Sequence, residues 1–303
     1  MKTTFITDDI KPNLKYTSLA LGFFDGLHQG HQKVLNDALE YSRKLGTKSV
    51  VLTFKNHPVE LLYDVKPEFI TTPEERLELF KNMGFDAVIM SEFTAEIASM
   101  SAEDYFNEII MNLAPKSISV GYNHKFGAGQ GGDISFLEEL SKENDFILGV
   151  SSPVKNKNEV TSSTLIRNLI KAGEVFKARY LLGKSYCVKN TVVSGAQRGR
   201  LMNFPTANLL FPDNKIVPKF GVYAGEAVVD GKKYKAIANV GLRPTFDDLI
   251  IPLIEVHILN FSNNIYGKSL EFKFLYKIRD EIKFTSIDAL KEQITKDIAS
   301  LKY

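Results

Sequence analysis

The first half of the chain alternates short apolar runs with helical segments, and this alternation constrains the fold more than any other feature. Five apolar runs are predicted to be strands: Ser18–Phe24, Ser49–Phe54, Ala87–Met90, Ser117–Gly121 and Phe146–Val150. Five segments have a helical pattern: Gln29–Leu45, Pro73–Met83, Ala102–Asn112, Ile134–Lys142 and Ser163–Ala172. Strands that alternate with helices predict a parallel, doubly wound α/β sheet, in which ligands collect at the carboxyl ends of the strands.

The helix predicted at Pro73–Met83 has clear start and stop signals. Thr72 can cap the first turn, Pro73 suits its first position, and the acids that follow favour the positive end of a helix. Gly84 stands just beyond the last turn, where the backbone often becomes left-handed. The sequence therefore predicts both ends of this helix.

The pattern changes near Gly183, and the second half is typical of antiparallel β-structure. Asp230-Gly231 separates two apolar runs, which is a strong signal for a two-residue hairpin. Four strands and a final helix are predicted there: Val222–Val229, Lys233–Asn239, Ile254–Leu259, Leu270–Ile278 and Ser286–Leu301. We expect a small antiparallel β-barrel with a terminal helix, and two domains of residues 1–182 and 183–303.

Composition and charge argue against several classes of protein. The 303 residues carry a formal net charge of +2, which disfavours broad, sequence-independent binding to nucleic acid. No apolar run is long enough to span a bilayer and no export signal is visible, so we expect no membrane partner. The single cysteine, Cys187, suits a reducing compartment. We therefore expect a soluble cytoplasmic protein, and the sequence leaves its oligomeric state open.

Residues 21–31, Leu-Gly-Phe-Phe-Asp-Gly-Leu-His-Gln-Gly-His, join the first predicted strand to the first predicted helix. A helix start leaves backbone N–H groups free to bind phosphate, and His28 and His31 share one helical face. The two imidazoles could stabilise charge that develops during phosphate transfer. The residues alone leave two alternatives open, which are a turn that merely needs glycine and a metal-binding histidine pair.

Two further segments fit a nucleotide site. Residues 121–133 form a glycine-dense loop after a strand, where Asn123 offers a side-chain amide. Residues 161–167 begin a helix with several hydroxyls, and Arg167 could neutralise pyrophosphate. Taken alone, the loop is more simply a flexible surface loop, the hydroxyls are helix caps, and Arg167 is a solvated charge.

These motifs together resemble the FMN adenylyltransferase module of the bacterial bifunctional riboflavin kinase/FAD synthetase family. The resemblance rests on a His-x-Gly-His signature in residues 22–31, on Phe54 with His57-Pro58, and on residues 121–127 and 162–167. It implies a nucleotide site made of Gly22, Phe23, Asp25, His28, His31, Asn123, Ser163, Thr164 and Arg167. Within that set the implied catalytic residues are His28, His31, Asn123 and Arg167. His124-Lys125 departs from the family pattern, which more often has an aromatic residue first.

The second half has a segment of glycine and basic residues that ends in Pro205-Thr206-Ala207-Asn208. Thr206 and Asn208 carry oxygen ligands of the kind that Mg²⁺ accepts beside ATP. On composition alone the segment is a turn that enters a strand. It resembles the riboflavin kinase signature of the same family, which implies that Thr206 and Asn208 bind Mg²⁺ and ATP and that Gly199 contacts ATP. Asn203 departs from that signature, which commonly has glycine there.

Glu255 and His257 alternate with apolar residues in the predicted strand Ile254–Leu259, so they share its polar face. Periodicity alone favours a solvated strand face. The resemblance implies instead that Glu255 is the general base for a riboflavin hydroxyl and that Arg279 belongs to the flavin-binding segment. His257 is interpreted as a structural neighbour.

The resemblance spans nearly the whole chain and implies an enzyme with two activities. Riboflavin and ATP would give FMN at the second module, and FMN with a second ATP would give FAD and pyrophosphate at the first, with Mg²⁺ as cofactor. Two alternatives remain. One is a nucleotidylyltransferase for another phosphorylated acceptor, whose β domain only binds or regulates, and the other is a flavin- or nucleic-acid-binding regulator without turnover.

Overall fold

The computed structural model describes residues 5–9, 12, 14–156, 159–193, 204–244 and 250–302. The chain divides into two compact units, Met1–Ser163 and Thr164–Tyr303. Each unit is built around its own six-stranded sheet. The strands of the first sheet run parallel and those of the second run antiparallel, as the two sequence patterns predict.

The first unit has the predicted doubly wound parallel sheet. Its strands are β1 (Phe5–Thr7), β2 (Thr17–Leu21), β3 (Lys48–Phe54), β4 (Ala87–Ser91), β5 (Pro115–Gly121) and β6 (Ile147–Ser151). In space they follow the order β1-β4-β3-β2-β5-β6, so the winding reverses between β2 and β5. The predicted fold class is confirmed, and the sequence pattern missed only the short edge strand β1 of this sheet.

Helices cover both faces of this sheet. They are α1 (Gln29–Leu45), α2 (Pro58–Tyr63), α3 (Pro73–Met83), α4 (Ala95–Ser99), α5 (Ala102–Tyr105) and α6 (Ile134–Glu143). A short hairpin follows β6 and consists of β7 (Lys155–Asn156) and β8 (Glu159–Val160). Leu19 and Leu21 of β2 enter one apolar core, whereas Ala20 enters the other. Burial on both faces explains why the strands are nearly continuous apolar runs.

Both predicted ends of α3 are confirmed. Thr72 Oγ1 accepts a hydrogen bond from Glu75 N, and the Glu75 carboxylate accepts one from Thr72 N, so the two residues form a capping box. Gly84 ends the helix in the left-handed region with φ +88°. Local sequence signals are therefore sufficient to define this element.

The helix predicted at Ala102–Asn112 is irregular. After α5 the chain passes through a π turn at Phe106–Ile110 and a 3₁₀ turn at Met111–Leu113. Phe106 and Leu113 are fully buried, so the apolar pattern correctly predicts a buried segment. A π turn followed by a 3₁₀ turn is not predicted by periodicity, because that method assumes 3.6 residues per turn throughout.

The second unit is an antiparallel β-barrel that is nearly closed. Its elements are α7 (Ser163–Lys171), α8 (Val175–Leu182), β9 (Cys187–Thr191), β10 (Ala207–Leu210), β11 (Gly221–Val229), β12 (Lys232–Pro244), β13 (Ile250–Ile258), β14 (Ser269–Arg279) and α9 (Ile287–Ala299). The unit begins at Thr164, the second residue of α7. The sheet order is β10-β13-β12-β11-β14-β9. Val193 N donates to Asn208 O at 3.0 Å and joins the two edges, which confirms the predicted barrel.

The predicted hairpin connects β11 and β12. Asp230 has φ +48° and Gly231 has φ +75°. Two successive left-handed residues are what a type I′ turn requires. Val229 pairs with Lys232 across this turn, so the turn fixes the register of β11 against β12.

Helices α7 and α8 cluster with the barrel. Lys219 N donates to Ile170 O at 3.4 Å, and α8 packs against β14. The division into compact units therefore falls at Ser163, although the apolar and helical pattern of residues 163–172 resembles that of the first half. The domain boundary after residue 182 stays a prediction.

Candidate active sites

The first candidate site begins with a tight turn after β2. Phe24 (φ +56°), Gly26 (φ +81°) and Leu27 (φ +45°) are all left-handed, so the chain folds back before α1 begins. Gly22 makes room for the ring of Phe24, because a Cβ at Gly22 would lie 2.9 Å from that ring. Left-handed conformations at non-glycine residues cost energy, so the surrounding structure has to hold this turn in place.

Asp25 ties the turn to residues 70–71. Its side chain is buried, and its carboxylate accepts hydrogen bonds from Ile70 N at 3.1 Å, from Thr71 N at 2.8 Å and from Thr71 Oγ1 at 3.0 Å. Thr71 Oγ1 in turn accepts a hydrogen bond from Gly26 N at 2.7 Å. Asp25 therefore anchors the turn, and its contact with ATP stays a prediction.

His28 and His31 stack on each other at the start of α1. Their ring centroids are 3.6 Å apart, and His28 Nδ1 caps the helix by accepting a hydrogen bond from His31 N at 3.3 Å. Burial lowers the pKa of His28 to about 4, so this ring is neutral at pH 7. Because Nδ1 accepts, the ring proton lies on Nε2. The helix start therefore offers an anion both a neutral imidazole donor and backbone N–H groups.

Asn123 follows β5, the strand that pairs with β2. The carboxyl ends of neighbouring parallel strands meet at one edge of a sheet, so the fold brings Asn123 to the same edge as His28. The glycine-dense loop is tied back on itself by a bridge between Phe126 and Gly132. A Cβ at Gly132 would lie 2.6 Å from the Phe126 ring, so glycine here serves close packing.

His124 stands where the family pattern more often has an aromatic residue. Its ring stacks on that of Phe126 with centroids 5.8 Å apart. Burial lowers the pKa of His124 to about 4, so the ring is neutral at pH 7. The departure from the pattern therefore keeps a flat, uncharged ring at this position.

Ser163 is brought to the turn from far along the chain. Its hydroxyl donates to the backbone oxygen of Asp25 at 3.0 Å, across 138 residues of sequence. Thr164 and Arg167 follow on α7 and belong to the second compact unit. Their contact with a triphosphate stays a prediction.

The second candidate site is a row of polar residues across the barrel sheet. Cross-strand pairing sets Glu255 of β13 between Asn208 of β10 and Asn239 of β12. Residues paired in this way project from the same face of a sheet. Glu255 is exposed, Asn239 is half-buried and Asn208 is buried. An accessible carboxylate therefore stands beside two side-chain amides.

Asn208 has the properties of a cation ligand. Its Oδ1 is buried and has no hydrogen-bond partner among the described residues. Leaving such an oxygen unpaired costs about 1–3 kcal/mol. Asn208 and Thr206 line a cavity of about 420 Å³, and hard oxygen ligands of this kind suit Mg²⁺. The residues present therefore fit a magnesium ion, although within the described ranges no group of three or more His, Cys, Asp or Glu residues could hold a metal.

His257 positions the segment that carries Thr206. Its Nδ1 lies 2.8 Å from the carbonyl oxygen of Pro205, and its ring meets that of Phe204 edge-on with centroids 5.5 Å apart. A carbonyl oxygen only accepts, so Nδ1 carries the proton. These contacts agree with the interpretation of His257 as a structural neighbour.

Arg279 is engaged with the terminal helix. Its guanidinium donates to both carboxylate oxygens of Asp297 on α9, at 2.8 Å and 3.0 Å for Oδ2 and 3.1 Å for Oδ1. Asp297 is buried, so this bidentate pair attaches α9 to the end of β14. A flavin contact by Arg279 stays a prediction, and Gly199 and Asn203 lie outside the described residues.

Sequence reasoning missed two residues beside these sites. Arg76 is fully buried on α3 and contacts the turn after β2, and Asn239 flanks Glu255. Arg76 is four residues before the buried Phe80, so a charged residue on the apolar face of α3 was the available signal. Asn239 begins the segment of residues 239–246, which resembles the substrate-flanking loop of the family, but the sequence does not pair it with Glu255, because the two residues lie on different strands.

Comparison with known proteins assigns both halves of the chain. A family model described as FAD synthetase matches residues 10–165, and one described as riboflavin kinase matches residues 182–303. Two curated relatives are both named bifunctional riboflavin kinase/FMN adenylyltransferase. The relative from Bacillus subtilis is 34% identical over 98% of this chain and 96% of its own length, and that from Listeria monocytogenes is 33% identical over 92% and 89%.

A solved structure also matches nearly the whole chain. It is titled macrolide-efflux protein from Streptococcus pneumoniae, is 32% identical, covers 98% of this chain and 97% of its own, and superposes with a TM-score of 0.89. In the described part of this chain we find no helix long and apolar enough to cross a membrane. The two family models match the two stretches of chain that carry most of the candidate site residues. The chain therefore belongs to the bifunctional riboflavin kinase/FMN adenylyltransferase family.

Proposed function

We propose that this chain makes FAD from riboflavin in two ATP-dependent steps at two separate sites. The polar row around Glu255 phosphorylates riboflavin to FMN, and the turn that carries His28 adenylylates FMN. The observation that supports this most directly is that two chemically different groups of polar residues lie on stretches that match different family models. One offers a neutral imidazole donor, and the other offers an exposed carboxylate beside an amide oxygen that has no hydrogen-bond partner among the described residues.

In the kinase step the nucleophile is an alcohol, which has to lose a proton. Glu255 takes the proton from the terminal ribityl hydroxyl as that oxygen attacks the γ-phosphate of ATP, the bond from the γ-phosphorus to the bridging oxygen breaks, and ADP leaves. Thr206 and Asn208 would hold Mg²⁺, which offsets the negative charge of the triphosphate when it is bound. His257 keeps the segment that carries Thr206 close to β13 through its contact with Pro205.

In the adenylyl transfer step the nucleophile is the phosphate of FMN, which is ionised at neutral pH and needs no general base. It attacks the α-phosphate of ATP and releases pyrophosphate. His28 Nε2–H and the N-terminus of α1 stabilise the charge on the phosphates, and Asn123 reaches the same edge of the sheet. Ser163, Thr164 and Arg167 contact the triphosphate in this proposal.

Chromatography of riboflavin incubated with Mg²⁺ and ATP tests the proposal. We expect FMN to appear first and FAD to follow, with pyrophosphate released in the second step only. A nucleotidylyltransferase for another acceptor would leave riboflavin unchanged and fail to convert FMN. A regulator that only binds flavin would consume no ATP with either compound.

The remaining proposals concern partners and location. ATP, riboflavin, FMN and FAD are the small molecules that the two reactions require. A cytoplasmic location agrees with the single cysteine, since a reducing compartment keeps such a thiol free. Sedimentation of the purified chain with and without ATP would measure its oligomeric state.

A further inference from the structure

A buried arginine braces the histidine turn from behind. Arg76 lies on α3, is fully buried and is the largest side chain of the chain's core among the described residues. Its Nη1 donates to the carbonyl oxygen of Phe23 at 2.7 Å, and its Nη2 donates to that of Lys55 at 3.0 Å. One guanidinium therefore connects the start of the turn to the chain just after β3.

The same turn is held a second time by the residues that precede α3. The Asp25 carboxylate accepts hydrogen bonds from Ile70 N and Thr71 N, three and two residues before α3 begins. Arg76 thus holds the residue before the short left-handed segment that leads to His28, and Thr71 holds the middle of that segment. Residues 70–76, which include the start of α3, provide both sets of contacts. The position of α3 therefore sets the position of the turn.

The environment of Arg76 is unusual for a purely structural arginine. Its guanidinium lies over the Phe23 ring at 4.4 Å from the centroid, and its Nε has no hydrogen-bond partner within the described residues. Its hydrogen bonds within the described residues go to two carbonyl oxygens and to Thr53 Oγ1, and none of these acceptors is a carboxylate. Burying a charge costs several kcal/mol, and an apolar side chain would fill the same volume without that cost.

The positive charge of Arg76 also acts on an anion bound at the start of α1. Burial lowers the pKa of Arg76 to about 10, so the guanidinium stays charged at neutral pH. Asp25 is the nearby negative group, and it already accepts three hydrogen bonds. The arginine therefore contributes positive potential at the turn whose N–H groups and imidazoles are proposed to face the anion.

We propose that Arg76 is a positioning residue for adenylyl transfer, which fixes the Phe23 carbonyl and through it the turn that carries His28. The inference rests on the proposed function of that turn. Arg76 touches no substrate in this account. Its effect on the rate arises because a turn displaced by about 1 Å can cost about 10²-fold in turnover.

The test compares Arg76→Met, Arg76→Lys and a control variant in the full chain. We expect Arg76→Met to lower kcat for FMN adenylylation about 10²-fold, while the KM values for ATP and FMN change far less. Arg76→Lys should recover part of kcat, because an ammonium keeps the charge and can still donate to one carbonyl. Riboflavin phosphorylation in the same preparations should stay at the wild-type rate.

Leu137→Ala is the matched control. Leu137 is fully buried on α6 in the same unit, and it packs in the apolar core on the other face of the sheet. The proposal is overturned if Leu137→Ala, at an equal loss of Tm, lowers kcat as much as Arg76→Met. It is equally overturned if Arg76→Met keeps kcat within twofold of wild type or if Arg76→Lys recovers nothing. A wild-type chain unable to adenylylate FMN would instead contradict the proposed function.

Discussion

The turn after β2 and the polar row on β13 carry different chemical groups. The turn offers a neutral imidazole and backbone N–H groups held by buried side chains. Its carboxylate, Asp25, accepts hydrogen bonds that anchor the turn to residues 70–71. The row offers the exposed carboxylate of Glu255 next to Asn208, whose side-chain oxygen has no hydrogen-bond partner in the described part of the chain. The difference matches the nucleophiles, because a phosphate needs only charge stabilisation whereas an alcohol also needs a base.

Removal of the carboxylate from the row should have the largest effect. We expect Glu255→Gln to lower FMN formation by about 10²–10⁴-fold, since a positioned base contributes that much, and to leave conversion of supplied FMN to FAD unchanged. Product chromatography with riboflavin or FMN as substrate measures both rates. Glu271→Gln on β14 is the matched control, because Glu271 pairs with Lys273 at 3.5 Å away from the row. Equal losses in the two variants would remove Glu255 from its role.

Removal of an imidazole from the turn should have the opposite selectivity. His31→Ala deletes the ring that stacks on His28, and we expect FAD formation to fall by about 10²–10³-fold while FMN formation is spared. Pyrophosphate release measures the first activity, and FMN accumulation measures the second. If His31→Ala and Glu255→Gln each stopped both reactions in folded protein, the assignment of two independent sites would be wrong.

The buried imidazole should also make the stability of the first unit depend on pH. Above about pH 6.5 His28 is neutral in the folded and unfolded states, and between pH 6.5 and 4 only the unfolded state takes up the proton. The free energy of unfolding should therefore fall as the pH is lowered, by about 3 kcal/mol for a shift of this size. His28→Asn keeps a helix cap and should flatten that slope in urea titrations at pH 7, 5.5 and 4.5. An unchanged slope would show that His28 is not held neutral.

Removal of the amide oxygen from the row should give the smallest effect. Asn208→Leu deletes a magnesium ligand in our proposal, and we expect the Mg²⁺ concentration for half-maximal riboflavin phosphorylation to rise about 10–100-fold. The matched variant Asn239→Leu changes the amide on the other side of Glu255 and should leave this Mg²⁺ dependence close to wild type. The same shift in both variants would place the metal elsewhere.

Local signals in the sequence were sufficient where one short segment sets the structure. Thr72, Glu75 and Gly84 define α3, and Asp230-Gly231 defines the β11–β12 hairpin, because caps and turns depend on neighbouring residues. They failed at residues 106–113, where the helix changes its turn width. Nothing in the residue pattern distinguishes a buried π turn from a regular buried helix.

The sequence by itself determined the order of strands and helices, the two halves of different β-structure and the polyphosphate motifs, since each depends on residues close together in the chain. Only the tertiary structure decided how those motifs work. It set the buried Arg76 behind the Phe23 carbonyl, brought Ser163 to Asp25 across 138 residues, and aligned Asn208 with Glu255 on adjacent strands. Such contacts depend on how distant elements pack and pair, and burial, not residue type, decides that the imidazole of His28 is neutral.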